Sequence, residues 1–232
     1  MKISTKNRKI GYTYGSVSGH FAFRKEKSIA FESTLERDLL TLLEFNDSVS
    51  DVIEQPVTIE YVNDNGRDVT YTPDFLVFFN ESDAELLHPQ RKPILIEVKP
   101  RDRLIKDWDK LKKKFQIGIK YAHANDMIFK VYDESRIRNT YLKNVLFLKR
   151  YKRLTYNEDG TIEILSLVHA NGSLSVEHIL EHISATQEQK GIALGLIWNM
   201  VAHKQLLCLL DSPLNIKTLV WLNEDIEMGV TI

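Results

Sequence analysis

Four residues in this chain have the types and spacing to do chemistry together: Glu36, Asp74, Glu97 and Lys99. In the stretch Ile94 to Lys99 an extended backbone turns successive side chains to opposite faces, so Leu95, Glu97 and Lys99 share one face and Ile94, Ile96 and Val98 the other. A carboxylate and an ammonium at the end of an apolar, interior strand cost free energy unless they pair or bind something. A metal ion with a phosphate satisfies both. Asp74 lies in Thr72-Pro73-Asp74-Phe75 at the head of another apolar run, and it faces Glu97 if the two strands are neighbours. Glu36 stands three, four and seven positions before Leu39, Leu40 and Leu43, which leans it toward the buried side of a helix. Carboxylate oxygens without nearby His or Cys select Mg²⁺, with Mn²⁺ as a substitute, over zinc. Such ions, two of them in this expectation, generate hydroxide and stabilise the charge on a phosphodiester under in-line attack. Lys99 then holds the attacking water or neutralises the phosphate.

Each residue also has a quieter explanation. Ser33-x-x-Glu36 is a capping box, Glu97 and Lys99 can be a same-face pair on a half-exposed strand, and Asp74 can start a strand or close a turn. Their joint order, helix Glu, strand Asp, strand Glu-x-Lys, then a basic helix, favours chemistry. Other motifs do not. His178-Ile-Leu-Glu-His182 matches the H-x-x-E-H of a zinc peptidase class but needs a third ligand and a cleft, so it reads as a solvated helix face. Gly191 to Gly195 lacks the Gly-Lys-Ser/Thr ending of a phosphate loop, and the single cysteine, Cys208, reads as a small buried apolar residue.

The elements that must position these residues form a mixed α/β pattern. Leucines at 35, 39, 42 and 43 predict a helix over 33–45, and a hairpin across Asn65-Gly66 joins 57–62 to 69–79. Next come a central strand at 93–98, a basic helix over 103–123, a strand MIFKVYD, a helix over 133–141 and a strand VLFLKR. In the tail TIEILSLV reads as a strand, VEHILEHIS and EQKGIALGLIWNMVAHK as amphipathic helices, and QLLCLLD with IKTLVWL as a hairpin, which suggests a winged-helix-like module.

Charge divides the chain. Residues 1–153 hold 28 Lys+Arg against 22 Asp+Glu, and 154–232 hold 3 against 10. A basic body attracts the phosphate backbone of nucleic acid, while an acidic tail suits contact with protein. The positive residues cluster in the first 27 residues, read as a partly ordered arm, in Lys99 to Lys114, and in LKRYKR at 148–153. No apolar run approaches the roughly 18 residues of a membrane span, and the N-terminus shows no apolar signal region, so a cytoplasmic protein is expected.

The text ESTLERDLLTLLEFNDSVSDVIEQP, YTPDFLVFF, ILIEVKP, a basic helix and MIFKVYDESRI, over residues 31–138, resembles the TnsA-type endonucleases of heteromeric cut-and-paste transposons, with their restriction-endonuclease-like core. The resemblance implies that Glu36, Asp74 and Glu97 bind metal with the Val98 carbonyl, and that Lys99 completes the catalytic set. It implies a nuclease that nicks the 5′ strands at the ends of a bacterial transposon, beside a DDE transposase that handles the 3′ ends and an AAA+ ATPase regulator. The expected organisation is a restriction-endonuclease-like domain with a basic N-terminal arm over residues 1–165 and a small winged-helix-like interaction domain over 166–232. Arg101, Arg103, Lys106 and Lys110 are expected on the phosphates of double-stranded DNA. A self-sufficient nuclease of the same fold, a non-catalytic DNA-binding adaptor and a protein-interaction scaffold are the alternatives.

Overall fold

A computed structural model describes residues 17–80, 92–156 and 158–224. The chain divides into two compact units, Met1–Asn139 and Thr140–Ile232.

The first unit opens with a hairpin of β1 (Gly19–Phe23) and β2 (Lys27–Phe31), turned by Arg24 and Lys25 at positive φ. The part of the expected partly ordered arm that lies here includes paired strand, and the Arg24 guanidinium pins it by donating to the carbonyls of Asn46 and Val49. Residues 1–16 of that arm lie outside the described residues. α1 (Thr34–Phe45) follows its N-cap Ser33 and buries Leu35, Leu39, Leu40 and Phe45, while Leu42 and Leu43 of the predicted stripe are half-buried.

β3 (Val49–Glu54), β6 (Phe75–Phe79), β7 (Ile94–Val98) and β8 (Ile128–Tyr132) form a mixed sheet in the order β3-β6-β7-β8. Only the β7–β8 pair is parallel, and the chain makes that crossover through α2 (Arg101–Lys106) and α3 (Trp108–Ala124). β7 has a sheet neighbour on each side and buries both its faces. β4 (Ile59–Val62) and β5 (Asp68–Tyr71) make the hairpin foreseen across Asn65-Gly66, with Gly66 at φ +71. The long strand expected over 69–79 is interrupted: Thr72-Pro73-Asp74 leaves the β4–β5 ladder and enters the main sheet. A proline cannot donate to either ladder, so the break falls there. α4 (Glu134–Ile137) closes the unit, with Asp133 as its N-cap.

The second unit is largely helical. It comprises α5 (Thr140–Tyr151), α6 (Glu158–Asn171), β9 (Ser173–Ser175), α7 (Val176–Ile183), α8 (Gln187–Ala202), β10 (Leu206–Leu207) and β11 (Leu219–Leu222). The antiparallel sheet β10-β11-β9 with this helix order is a winged-helix-like arrangement. Two segments expected as strands are helices here. VLFLKR lies in α5, where Leu142, Val145 and Leu148 are buried at three-residue spacing, and TIEILSLV lies in α6, where Ile164 and Val168 are buried at four. The division between the units therefore falls before α5, earlier than the boundary drawn after residue 165. α8 is not amphipathic as expected: from Leu196 to Ala202 every residue is buried. It is the core of its unit, and the Asn199 amide donates to the carbonyls of Tyr151 and Leu154. Among the described residues no helix is long and apolar enough to cross a membrane.

Candidate functional site

The register Phe75↔Ile96 sets Asp74 level with Glu97 on the neighbouring strand. Three hydrogen bonds lock Asp74 there. Its backbone N–H donates to Ile96 O at 3.0 Å, its carbonyl accepts from Gln55 N at 2.8 Å, and its Oδ2 accepts from Val98 N at 2.6 Å. Glu97 is 5 % exposed, and both its oxygens are engaged: Lys99 Nζ lies 3.2 Å from Oε1, and the Tyr71 hydroxyl donates to Oε2 at 2.9 Å. The shared face of Glu97 and Lys99 is thus realised as an ion pair.

Glu36 joins from α1. Its Oε1 accepts from Ser33 Oγ at 2.8 Å, its Oε2 accepts from Glu32 N at 2.8 Å, and its own N–H donates to Ser33 Oγ at 3.1 Å. The capping interaction is therefore real, yet the same carboxylate also reaches the site electrostatically. Burial pushes the Glu36 pKa above 4.5, with the Ser33 and Glu32 hydrogen bonds and the Lys99 charge opposing. Burial, then the charges of Glu97 and Glu36, raise Asp74 well above 3.8 against the pull of Val98 N–H and Lys99. For Lys99, burial disfavours the ammonium, but Glu97, Asp74 and Glu36 outweigh it and hold the pKa above 10.5. All four residues foreseen from the sequence belong to one charge cluster, three carboxylates to one ammonium.

Among the described residues no group of three or more His, Cys, Asp or Glu side chains is arranged to hold a metal ion. Each carboxylate is partly or wholly occupied by an internal partner. The donor chemistry nonetheless fits a hard divalent cation, because the carboxylate excess and the raised proton affinity of Asp74 and Glu36 are what such a charge relieves. His178, Glu181 and His182 are exposed on α7, the solvated face expected for HILEH. Cys208 is half-buried, and burial pushes its thiol up to about 11, far from a nucleophile.

Tyr71 and Gln55 are site residues that the sequence pattern did not reveal. Gln55 sits at φ +43, and its side chain donates to Glu32 Oε1 at 3.2 Å, linking the start of α1 to the Asp74 backbone. Burial, then the Glu97 charge, raise the Tyr71 pKa and keep its phenol a donor. An aromatic in an alternating strand looks like core, so only its place two residues before Pro73-Asp74 could have pointed to it. Arg101, Arg103, Lys106 and Lys110 are all exposed at α2 and the head of α3, directly after Lys99. Arg101 lies 3.6 Å from Asp133 and Arg103 lies 3.8 Å from Asp107, so two of the four carry an acid beside them.

Residues 46–134 match the family described as TnsA-like endonuclease N terminal, and residues 136–210 match TnsA endonuclease C terminal. The chain belongs to the TnsA-type endonuclease family. Asp74, Glu97, Val98 and Lys99 fall within the first matched stretch, whereas Glu36 precedes it. The mixed sheet flanked by helices is the TnsA-like restriction-endonuclease fold, and the family makes this chain an endonuclease subunit of a transposase. No curated protein matches the chain.

Proposed function

We propose that this chain is a Mg²⁺-dependent DNA endonuclease that cleaves the 5′, non-transferred strands at transposon ends, working with a DDE transposase and an AAA+ ATPase regulator. The observation that carries this reading is the buried excess of carboxylate over ammonium at the end of a central strand in a TnsA-type fold. Glu36, Asp74 and Glu97, with the Val98 carbonyl, would hold Mg²⁺ or Mn²⁺, two ions in the full site, once binding draws Glu36 from Ser33 and Glu97 Oε1 from Lys99 while Tyr71 keeps Oε2. The cation supplies charge to stabilise a phosphodiester under in-line attack. Lys99, tethered beside Glu97, is placed to orient the attacking water or to neutralise the phosphate. Val98 N–H keeps the Asp74 carboxylate aimed at this spot. Exposed Arg101, Arg103, Lys106 and Lys110 would take up neighbouring phosphates.

Strand mapping on transposon-end DNA with Mg²⁺ tests the reading, with wild type and Asp74→Ala each assayed with and without the partner transposase. Partner-dependent 5′-strand nicks that vanish in Asp74→Ala are expected. Cuts without any partner would move the chain to the self-sufficient nucleases, and an absence of Asp74-dependent cleavage would make it an adaptor.

A further inference from the structure

Just beyond Lys99 the chain leaves large apolar surface in water. α2 buries none of its residues, and Ile105 is 74 % and Trp108 50 % exposed. Single exposed apolar residues are ordinary. These two lie three positions apart on a nearly continuous helical path, since Asp107 caps both α2 and α3 and its carbonyl accepts from Lys110 and Leu111. Residues so spaced are neighbours on a helix surface. Trp108 is also anchored: its ring meets Phe115 edge-on at 6.3 Å, and Phe115 packs on Phe129 at 6.0 Å. One side of the indole is fixed to the core and the other is open.

Around this pair stand Arg101, Arg103, Lys106 and Lys110, interleaved with Asp102, Asp107 and Asp109; the two lysines make no ion pair among the described residues, and over Lys99 to Lys114 eight cations stand against three acids. That charge decides the occupant. Protein interface centres are depleted in lysine, whereas apolar side chains set among Arg and Lys are the means by which proteins enter a base step and unstack it. We propose that Ile105 and Trp108 form a wedge that unstacks duplex DNA beside the strand to be cut, Ile105 entering the base step and Trp108 stacking on the freed base. Arg103, Lys106 and Lys110 hold the phosphates on either side. The reach suits this role, because the six residues of α2 rise about 9 Å, or roughly three base pairs at about 3.4 Å each. This inference rests on the endonuclease reading above.

The test is fluorescence of the full chain bound at low salt to duplex end DNA carrying 2-aminopurine at successive positions around the cut. Binding should raise the 2-aminopurine signal at one step and quench the emission of Trp108, taken as the difference between wild type and Trp108→Phe. Ile105→Ala and Trp108→Ala should abolish the rise, and Trp108→Phe should keep part of it. In nicking with the partner transposase, Trp108→Ala should be about ten-fold slower, as removal of one base–aromatic stack requires. No DNA binding at low salt, no rise at saturation, or a rise that survives both alanine variants overturns the wedge. So does loss of transposase binding with the DNA signals unchanged, which would make this a protein contact. The signal needs no cleavage: a wild type that unstacks DNA but never nicks supports the wedge and sinks the nuclease reading, and nicking without unstacking does the reverse.

Discussion

Asp74 stands where burial and two neighbouring carboxylates disfavour its charge, and that tension links stability to function. A carboxyl whose pKa is raised on folding binds a proton that the unfolded chain releases. Stability from Asp74 and Glu36 is therefore lost as pH climbs from their ordinary 3.8 and 4.5 toward the raised folded values. Asp74→Asn keeps an oxygen for Val98 N–H and removes the charge. Without metal at neutral pH it should melt a few degrees above wild type, at about 2–4 °C per kcal/mol for a chain of this length, while abolishing nicking. A melting series across pH should show the gap closing in acid, and added Mg²⁺ should narrow it by stabilising wild type alone. Tyr71→Phe probes the partner carboxylate. A hydrogen bond to a charged group contributes about 1.5–3 kcal/mol, so loss of the Glu97 clamp should slow nicking roughly ten-fold or more while DNA affinity stays unchanged in a binding titration. Asp74, Glu97 and Lys99 were legible in the sequence because a charge in an apolar strand contradicts its surroundings. Tyr71 agrees with its strand and so passed as core.

At the scale of elements, legibility followed how much each segment's own pattern decides. α1 and the β4–β5 hairpin carry their own signals, a capped leucine stripe and an Asn-Gly turn, and they form as expected. α5 and α6 do not. Their runs of Val, Ile and Leu favour strands locally, but the second unit buries them at spacings of three and four around α8, so packing outweighs propensity. In the first unit the crossover helix α3 must lie flat on β8 to bring the chain back parallel to β7. Gly118 permits the approach: a Cβ there would meet Phe129 Cε2 at 2.6 Å, with two more ring atoms at 3.0 and 3.1 Å. Gly118→Ala gains up to about 1 kcal/mol of helix propensity but forces the ring away from Phe115, an overpacking cost of about 1–3 kcal/mol. Urea denaturation should show a net destabilisation of about 1 kcal/mol, and Gly118→Ala with Phe129→Leu should recover part of it.

At the scale of the whole molecule the charge argument changes with the true division of the chain. Residues 1–139 hold 23 Lys+Arg against 22 Asp+Glu, and residues 140–232 hold 8 against 10. The contrast drawn across Arg153 came from five cations of the second unit, Lys143 and the four of LKRYKR at and just past the end of α5. Net charge therefore steers DNA weakly, and local clusters must carry its binding. That makes the salt dependence of affinity informative. Removing one cation that neutralises a phosphate should reduce the slope of log K against log salt by about one. Lys106 and Lys110, free of ion pairs among the described residues, should each change the slope by nearly that amount when replaced by alanine. Arg101 and Arg103, with Asp133 and Asp107 beside them, should change it less. Equal slopes for all four variants would show that the acids swing away on binding. No change for any of them, measured by titration across a salt series, would remove α2 and α3 from the DNA interface.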